Sequence, residues 1–465
     1  MIKSKLYEHQ KKNLQFHLGH QSSADWSEPG IGKSLIALSK VDILKNLNLV
    51  HKILIICPKT VMVTWAVEIE KHTNLSYTTL TGSVESKINR LKDDKSDIFI
   101  ITYDSIPGRK TTRGLLFRAI GMSSFDFLIC DEVPMIKNRE AMRTVPIILF
   151  SDLIPQKLFL SGTPVTNDMT SILTIYRALD GGKTFGKNFF SARNRYFKNI
   201  GVYFPNWIIK ETMKDEFTKK LYSIAVRVTK EECLDLPPKV WSSRYTDLSK
   251  EQREYYYPIA DDIWKHLYTE QGEINIKSTL DKIGKLSQIT SGFLYTKEGG
   301  TFFFGSNPKL ELLGLVINEF SNDEKIIVCC RWRAEIKLIE EWCCANNILY
   351  ASLSGETENR RSIISKFQDG DARIFICNIS VGKYSLTLTA ASTIIYYSMG
   401  FGIEEFVQFS DRIHRISQTK TCLYIPLLIH NGIDEYIYNS INKKLDTIQA
   451  IVDPELERVL KRRKI

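Results

Sequence analysis

The sequence Gly-Ile-Gly-Lys-Ser at residues 30–34 leads directly into a helical pattern at residues 34–47, and this junction indicates the fold. A glycine-containing turn at a helix N-terminus surrounds phosphate oxygens with backbone N–H groups, and a lysine adds a point charge. We therefore predict a phosphate-binding loop in which Lys33 contacts the phosphates and the hydroxyl of Ser34 ligates magnesium.

Short apolar runs alternate with helical patterns along the chain from this loop onward. Near-continuous apolar runs are typical of parallel strands that are buried on both faces. Strand candidates in the first third are residues 53–57, 98–103, 127–130 and 158–160. The same rhythm returns from about residue 305, with candidates at residues 326–330, 349–353, 374–377, 393–397 and 423–429. The pattern predicts an α/β fold with two parallel-sheet lobes.

The region between the lobes has a different composition. Residues 171–300 are rich in aromatic and charged side chains and show no regular strand pattern, and Gly181-Gly182 and Pro237-Pro238 interrupt them. We expect helical insertions and a hinge there. The predicted domains are an ATP-binding lobe at 1–178, insertions and an inter-lobe linker at 179–304, a second lobe at 305–450 and a basic tail at 451–465.

Composition restricts the class of protein more weakly. The chain has 465 residues, and its 63 basic and 53 acidic residues give a net charge of +10, which is compatible with a polyanionic partner but does not establish one. No run approaches the roughly twenty apolar residues of a membrane span, and the N-terminus lacks a signal-peptide pattern. We expect a soluble, unexported protein that is cytoplasmic or associated with a nucleoid. The nine cysteines lie mostly in apolar runs, which predicts reduced core residues.

An acidic pair follows the strand candidate at residues 127–130. Asp131 is expected to hold magnesium through water, and Glu132 to orient and deprotonate the attacking water. A solvated strand end is the alternative for an isolated Asp-Glu pair. Because the pair follows a phosphate loop on the same α/β lobe, we favour a site that hydrolyses a nucleoside triphosphate.

Several ordered motifs resemble those of the superfamily-two helicases and, within them, the Swi/Snf-type DNA translocases. Residues 6–10 are similar to the adenine-reading segment, which ends in Gln10, and residues 161–164 are similar to the motif that couples the phosphate state to nucleic acid. The phosphate loop is a shortened form, with Ser27 where the longer motif has glycine. By resemblance, contacts to nucleic acid are implied for Lys59, Thr60, Trp65, Thr163 and Asn167. Where the family has a glycine-rich segment, residues 380–385 keep one glycine and gain Lys383, for which we expect a contact with phosphate instead.

The most specific match is the run from Gln408 to Gln418, which resembles the family's Q-x-x-D-R-x-H-R-x-x-Q. By resemblance, Arg415 is the arginine that reaches the γ-phosphate when the lobes close, and Arg412 is its neighbour. The segment that starts Leu-Pro-Pro-Lys at residues 236–239 resembles the crossing between lobes in the Swi/Snf branch. The catalytic set is thus Lys33, Glu132, Arg412 and Arg415. The nucleotide-binding set is Gln10, Gly30, Gly32, Lys33, Ser34, Asp131 and Gln408, with Ser34 and Asp131 as the magnesium ligands.

The resemblance implies two RecA-like lobes that bind ATP and magnesium and move along DNA. Duplex DNA is the favoured track, with single-stranded DNA or RNA as alternatives, and the motor is expected to be monomeric. A strand-separating DNA or RNA helicase is the second interpretation, and a motor subunit or non-hydrolysing module of a larger complex is the third. Targeting is expected to come from a protein partner or from the aromatic insert at about residues 180–240. Its aromatic residues, which are more often core than base-stacking groups, are Phe189, Phe190, Tyr196, Phe197 and Trp207.

Overall fold

The computed structural model describes residues 2–106, 113–164, 168–201, 207–233, 236–268, 276–296, 298–354, 359–382, 388–415 and 417–452. The chain divides into two compact units: the first comprises Met1–Asp235 and Ile448–Ile465, and the second comprises Leu236–Thr447. The division falls inside the segment that the sequence predicts as the inter-lobe region.

The first unit is built on a parallel sheet. Its strands are β1 (Ser22–Asp25), β2 (Ile53–Cys57), β3 (Tyr77–Thr79), β4 (Ile98–Thr102), β5 (Phe127–Asp131), β6 (Gln156–Leu160), β7 (Phe197–Asn199), β8 (Trp207–Ile209) and β9 (Ala225–Val226). Seven of these described strands form one sheet in the order β3-β4-β2-β5-β6-β1-β9, and each neighbouring pair is parallel. Strands β7 and β8 form a separate antiparallel pair.

Helices connect and cover these strands. They are α1 (Glu8–Leu18), α2 (Lys33–Asn46), α3 (Met62–His72), α4 (Val84–Asp93), α5 (Arg113–Met122), α6 (Thr144–Leu153), α7 (Ser171–Asp180), α8 (Phe189–Tyr196), α9 (Lys214–Leu221) and α10 (Lys230–Cys233). Short 3-10 turns lie at Tyr103–Ser105, Val133–Ile136 and Glu211–Met213.

Strand β2 shows why the apolar runs are continuous. Its five residues are fully buried, with Ile53, Ile55 and Cys57 in one core cluster and Leu54 and Ile56 in another. Alternate side chains of a strand point to opposite faces, so a sheet that is covered on both faces requires apolar residues at every position.

The second unit repeats this architecture. Its strands are β10 (Lys239–Trp241), β11 (Arg244–Thr246), β12 (Phe293–Tyr295), β13 (Thr301–Phe303), β14 (Ile326–Cys330), β15 (Tyr350–Leu353), β16 (Ile374–Asn378), β17 (Thr393–Tyr396) and β18 (Cys422–Ile429). The described part of its main sheet has the parallel order β10-β18-β17-β14-β16-β15, with β11 also paired to β18. Its helices are α11 (Lys250–Tyr268), α12 (Ile276–Thr290), α13 (Pro308–Asn318), α14 (Arg333–Ala345), α15 (Arg360–Gln368), α16 (Ile379–Gly382), α17 (Ile403–Ser410) and α18 (Ile433–Val452).

The predicted fold class, two parallel-sheet α/β lobes, is confirmed, and every strand predicted within the two lobes is present. The prediction that residues 171–300 lack strands is wrong. Strand β9 joins the first sheet, and β10 and β11 join the second. These strands are two or three residues long, too short to produce a period-2 pattern. Among the described residues, no helix combines the length and apolarity that a membrane crossing requires.

Candidate active site

The candidate residues of the first unit lie at one edge of its sheet. The phosphate loop follows β1, Lys59 and Thr60 follow β2, the acidic pair ends β5, and residues 161–164 follow β6. Because these strands are parallel, their carboxyl ends share an edge, and ligands of open α/β sheets bind outside that edge. The tertiary fold therefore brings together motifs that are more than a hundred residues apart.

Two glycines shape the phosphate loop. Gly30 and Gly32 have φ angles of 92° and 96°, a left-handed conformation that side chains disfavour, and α2 begins directly afterwards at Lys33. A Cβ at Gly32 would also lie 2.3 Å from Nε2 of Gln10. The backbone conformation therefore favours glycine at position 32, and a side chain there would also force the Gln10 amide to move.

The lysine of the loop is held by backbone carbonyls. Lys33 Nζ donates hydrogen bonds to the carbonyl oxygens of Ser27, at 2.6 Å, and Glu28, at 3.0 Å. A triphosphate competes well with these bonds, because carbonyl oxygens are neutral whereas phosphate oxygens add the attraction between opposite charges. The ammonium group is thus kept within the loop and is available to phosphate.

Ser27 occupies the position where the longer phosphate-loop motif has glycine. Its side chain is buried, and its hydroxyl oxygen accepts hydrogen bonds from Asn13 Nδ2 at 3.3 Å and from the amide of Val228 at 3.0 Å. The Ser27 amide donates to Asp25 Oδ1 at 2.9 Å. The hydroxyl therefore connects the loop to α1 and to the segment after β9, a role that glycine cannot perform.

Gln10 lies against the loop rather than in an open pocket. Its side chain is 3% exposed; Oε1 accepts from the amide of Tyr7 at 2.9 Å, and Nε2 donates to the carbonyl of Ile31 at 2.8 Å. These bonds tie the start of α1 to the phosphate loop. Contact with adenine stays a prediction, and such a contact would have to share or replace one of these bonds.

Both oxygens of Asp131 are held by the chain. Oδ2 accepts from the indole Nε1 of Trp65 at 2.9 Å, and Oδ1 accepts from the amide of Glu132 at 2.9 Å. The hydroxyl of Tyr103 donates to the Asp131 carbonyl oxygen at 2.9 Å. Burial raises the pKa of Asp131 above its usual value, and the Trp65 hydrogen bond and the charge of Lys33 oppose that shift.

Trp65 is a buried residue. Its side chain is only 1% exposed and packs in the core between α3 and the sheet, so the burial gives no support to the prediction that it contacts nucleic acid. A buried indole needs a partner for its N–H group, and here that partner is Asp131. Lys59 and Thr60, by contrast, are exposed immediately after β2, and their contact with nucleic acid stays a prediction.

The backbone turns sharply at the second acidic residue. Glu132 has φ 52° and ψ 55°, a left-handed conformation that is uncommon for a residue other than glycine, and a 3-10 turn begins at the next residue. Such conformations cost on the order of 1–3 kcal/mol and are concentrated at functional sites. The turn carries the chain away from the strand end directly after Asp131.

The segment after β6 packs directly on the phosphate loop. A Cβ at Gly162 would lie 2.6 Å from Cγ of Pro29, and the amide of Ser161 donates to the carbonyl of Asp25 at 3.1 Å. The Thr163 amide donates to Ser161 Oγ, and the buried Thr163 hydroxyl has no hydrogen-bond partner among the described residues. A conformational change in the phosphate loop would therefore move residues 161–164 through direct contact. Asn167 lies outside the described residues.

The donor set fits magnesium. One carboxylate, Asp131, and one hydroxyl, Ser34, suit an ion that keeps several waters and takes its remaining ligands from substrate phosphates. No cluster of three or more His, Cys, Asp or Glu ligands occurs in the described part of the chain, so a cage built wholly from such side chains is not found there.

In the second unit, the arginine motif is anchored by its own backbone. Arg412 Nε donates to the Gln408 carbonyl at 2.8 Å, and Arg415 Nε donates to the Asp411 carbonyl at 3.4 Å. Gln408 and Arg412 are buried, and burial lowers the pKa of Arg415, a shift that the carboxylate of Asp411 opposes. Lys383 lies outside the described residues.

The Leu-Pro-Pro-Lys segment contacts this motif. Lys239 Nζ lies 2.9 Å from Asp411 Oδ1, and a ring nitrogen of His414 lies 2.9 Å from the Pro237 carbonyl oxygen. Two segments that the sequence singled out independently are thus adjacent in the fold.

Three residues with a role in this site were missed as site residues by sequence reasoning: Ser27 as an anchor, Pro29 as the contact of Gly162, and Tyr103 as a support for Asp131. Tyr103 directly follows the buried strand β4, and this position indicated that its side chain lies at the same sheet edge as Asp131. The roles of Ser27 and Pro29 have no local signal, since their partners are distant in the chain.

Comparison with known families gives two matches. The family described as SNF2-related domain matches residues 9–292, which is more than half of the chain. The helicase conserved C-terminal domain matches residues 308–417.

Similar curated proteins include the ISWI chromatin-remodeling complex ATPase ISW1 of Saccharomyces cerevisiae, 21% identical over 91% of this chain and 38% of its own length. ATP-dependent helicase fft1 of Schizosaccharomyces pombe is 22% identical over 93% of this chain and 51% of its own length. The chain thus spans about half or less of the length of these relatives. A solved structure, the Sulfolobus solfataricus SWI2/SNF2 ATPase core in complex with dsDNA, is 22% identical with a TM-score of 0.46, covering 97% of this chain and 93% of that one.

Proposed function

Because the chain belongs to the family of SNF2-related domains, we propose that it is an ATP-driven motor that moves along duplex DNA. The observation that carries the proposal is the arrangement of Lys33, Asp131 and Glu132 at one sheet edge, with Gly162 packed against the phosphate loop. The first three supply the chemistry of hydrolysis, and the last connects that chemistry to a neighbouring motif.

ATP enters with its phosphates against the backbone N–H groups of residues 30–34. Lys33 then exchanges the carbonyls of Ser27 and Glu28 for phosphate oxygens. Asp131 and Ser34 would hold magnesium, which would neutralise phosphate charge. Glu132 accepts the proton of the attacking water. Arg415 and Arg412 are proposed to stabilise the charge that develops on the phosphoryl group.

Movement requires that the nucleotide state reach the nucleic acid. Residues 161–164 contact the loop through Pro29, and we propose that Thr163, together with Lys59 and Thr60, contacts the phosphate backbone of DNA. Contacts to phosphate rather than to base edges carry no sequence information, so stepping is independent of sequence. The names of similar proteins, among them a chromatin-remodeling complex ATPase and a chromodomain-helicase-DNA-binding protein, support DNA as the track and a partner protein for targeting.

The test is steady-state ATP hydrolysis by the purified chain with relaxed closed-circular duplex DNA, single-stranded DNA, RNA or no nucleic acid. Glu132→Gln is the blank, because it keeps the shape of the side chain and removes the base. Stimulation by duplex DNA, followed by displacement of the third strand of a triplex, is the expected result. Stimulation by single strands or RNA alone, with displacement of a duplex strand, would instead establish a strand-separating helicase.

A further inference from the structure

The insert of the first unit carries a surface group of two arginines and three aromatic rings, here termed the aromatic cluster: Arg139, Phe189, Phe190, Arg193 and Trp207. The Arg139 guanidinium lies 4.2 Å from the Phe190 ring centre, and that of Arg193 lies 4.0 Å from the Trp207 ring centre and 5.2 Å from that of Phe190. The Phe190 side chain is 47% exposed. An exposed ring that is held by stacked cations is not explained by packing of the core.

The neighbouring aromatic residues behave differently. Tyr196 and Phe197 are each 1% exposed and pack around Phe217, so they serve the core. The five aromatic residues that the sequence groups together therefore differ in exposure: Tyr196 and Phe197 are buried, Phe189 and Trp207 are partly buried against the core, and Phe190 is exposed.

A cavity of about 420 Å³ opens beside Phe189 and Phe190. Its apolar lining includes Ile148, Leu173 and Ala192. Thr174 also lines it; this side chain is 3% exposed, and its buried hydroxyl has no hydrogen-bond partner among the described residues. Buried hydroxyl groups are normally paired, so this one has an unused hydrogen-bonding capacity that a polar ligand atom can satisfy once the hydroxyl turns toward the cavity.

The rim of the cavity is basic. Of the cationic residues that line the cavity, Arg139 pairs with Glu140 and Arg177 pairs with Asp152, whereas Lys187 has no ion pair within the described ranges. Arg193 does not line the cavity but stacks on Phe190 beside it, and it also has no ion pair there. The Nε atom of Arg193 is buried without a hydrogen-bond partner there. A positively charged rim around an apolar cavity is complementary to a molecule whose flat apolar rings are joined by negatively charged groups.

We propose that the aromatic cluster and this cavity bind the unpaired bases of single-stranded nucleic acid. One base stacks on the exposed face of Phe190, an adjacent base enters the cavity with its polar edge at Thr174, and the phosphates lie near Lys187 and Arg193. Base stacking on aromatic and guanidinium planes is the usual means of holding single strands, and it is tolerant of sequence. Duplex DNA does not fit, because its base faces are covered. An acidic protein segment would use the charge but leave Phe190 and Thr174 without a role.

This site requires neither ATP nor movement, and so it goes beyond the proposed motor function. Arg139 lies seven residues after Glu132, with the 3-10 turn Val133–Ile136 between them. The same short segment thus carries the proposed catalytic base at one end and a member of the aromatic cluster at the other.

The test compares two fluorescent oligonucleotides of equal length, oligothymidylate and an abasic chain with the same phosphates, by anisotropy with the full chain. Excess relaxed closed-circular duplex DNA, without ATP, occupies the motor track. The wild-type chain is expected to bind oligothymidylate more tightly than the abasic chain by about 5- to 150-fold, which corresponds to stacking of one base. Phe190→Ala should remove the part of this preference that comes from stacking on Phe190, and Phe190→Trp should keep it.

Thr174→Val, which keeps the shape and removes the hydroxyl, should reduce the preference for bases without changing affinity for the abasic chain. Tyr257→Ala, which removes a 54% exposed aromatic residue of the second unit, is the matched control and should change neither affinity. Thermal unfolding of each variant checks the fold. Equal affinity for both oligonucleotides, or polyglutamate that displaces both equally, would overturn the proposal. Failure of the duplex DNA to stimulate ATP hydrolysis would bear on the motor function alone.

Discussion

The indole N–H of Trp65 donates a hydrogen bond to the carboxylate of Asp131, with Nε1 and Oδ2 2.9 Å apart. Trp65 belongs to α3, and Asp131 ends β5, so the bond joins two elements that flank the nucleotide edge of the sheet. The second carboxylate oxygen is held by the amide of Glu132. The proposed magnesium ligand is therefore oriented before any ion binds.

Trp65→Phe is expected to shift the pH dependence of ATP hydrolysis. Phenylalanine keeps much of the buried ring but cannot donate the hydrogen bond. In the wild-type chain that bond lowers the pKa of Asp131 and so opposes the effect of burial, which raises it. That pKa, already raised, should rise further, and Asp131 must be ionised to hold magnesium. The acid limb of the rate profile should thus move to higher pH, with activity recovering in alkaline buffer. An unchanged acid limb, with Trp207→Phe as the reference variant, would show that the bond does not tune Asp131.

Gly162→Ala is expected to lower ATP hydrolysis by about 100-fold, the usual effect of moving a catalytic group by about 1 Å. The new methyl group would lie 2.6 Å from the ring of Pro29, and a proline ring cannot rotate away. The measurement is kcat with duplex DNA. Gly121→Ala, in a helix of the same unit with its nearest neighbour atom at 3.9 Å, is the matched control and should retain activity.

The motif residues give a direct test of the assigned chemistry. Arg415→Ala is expected to lower kcat by about 10³-fold or more while leaving ATP binding nearly intact, because a transition-state arginine acts on developing charge. Lys33→Ala should weaken ATP binding as well, since Lys33 contacts the phosphates in the ground state. Steady-state kcat and KM, with a fluorescent nucleotide for binding, separate the two effects. If either variant hydrolyses ATP normally, the assignment of that residue is wrong.

Lys40 predicts a pH dependence of stability. Its side chain is 1% exposed, and burial lowers its pKa from 10.5 to about 7. A lowered folded-state pKa contributes stability that is fully present above pH 10.5 and is lost as the pH falls toward 7. The free energy of unfolding should therefore fall by roughly 1.4 kcal/mol per pH unit across that window.

Lys40→Met should remove this slope in chemical denaturation measured from pH 7 to pH 10. Lys12→Met, which changes an exposed lysine on α1, is the matched control and should retain the slope. If the free energy of unfolding changes with pH by the same amount in Lys40→Met and in the wild-type chain, Lys40 is not the cause of the pH dependence.

The sequence by itself determined the two α/β lobes, the phosphate loop, the acidic pair and the arginine motif. Each of these features is encoded by residues that are neighbours in the sequence: an apolar run of five, a Gly-x-Gly-Lys-Ser turn before a helix, or Asp-Glu at a strand end. Local spacing sets which side chains share a face and which backbone groups meet a ligand, so such features can be predicted without knowing the rest of the fold.

Only the tertiary structure decided how these parts support one another. Trp65 matched a nucleic-acid motif in sequence, yet it is buried against Asp131, and Phe190 differs from Phe197 only through what packs around each ring. The contacts of Ser27 with Val228 and of Pro29 with Gly162 join residues that are more than a hundred positions apart. Burial and hydrogen-bond partners depend on which strand ends and helices become neighbours, and no local pattern specifies that.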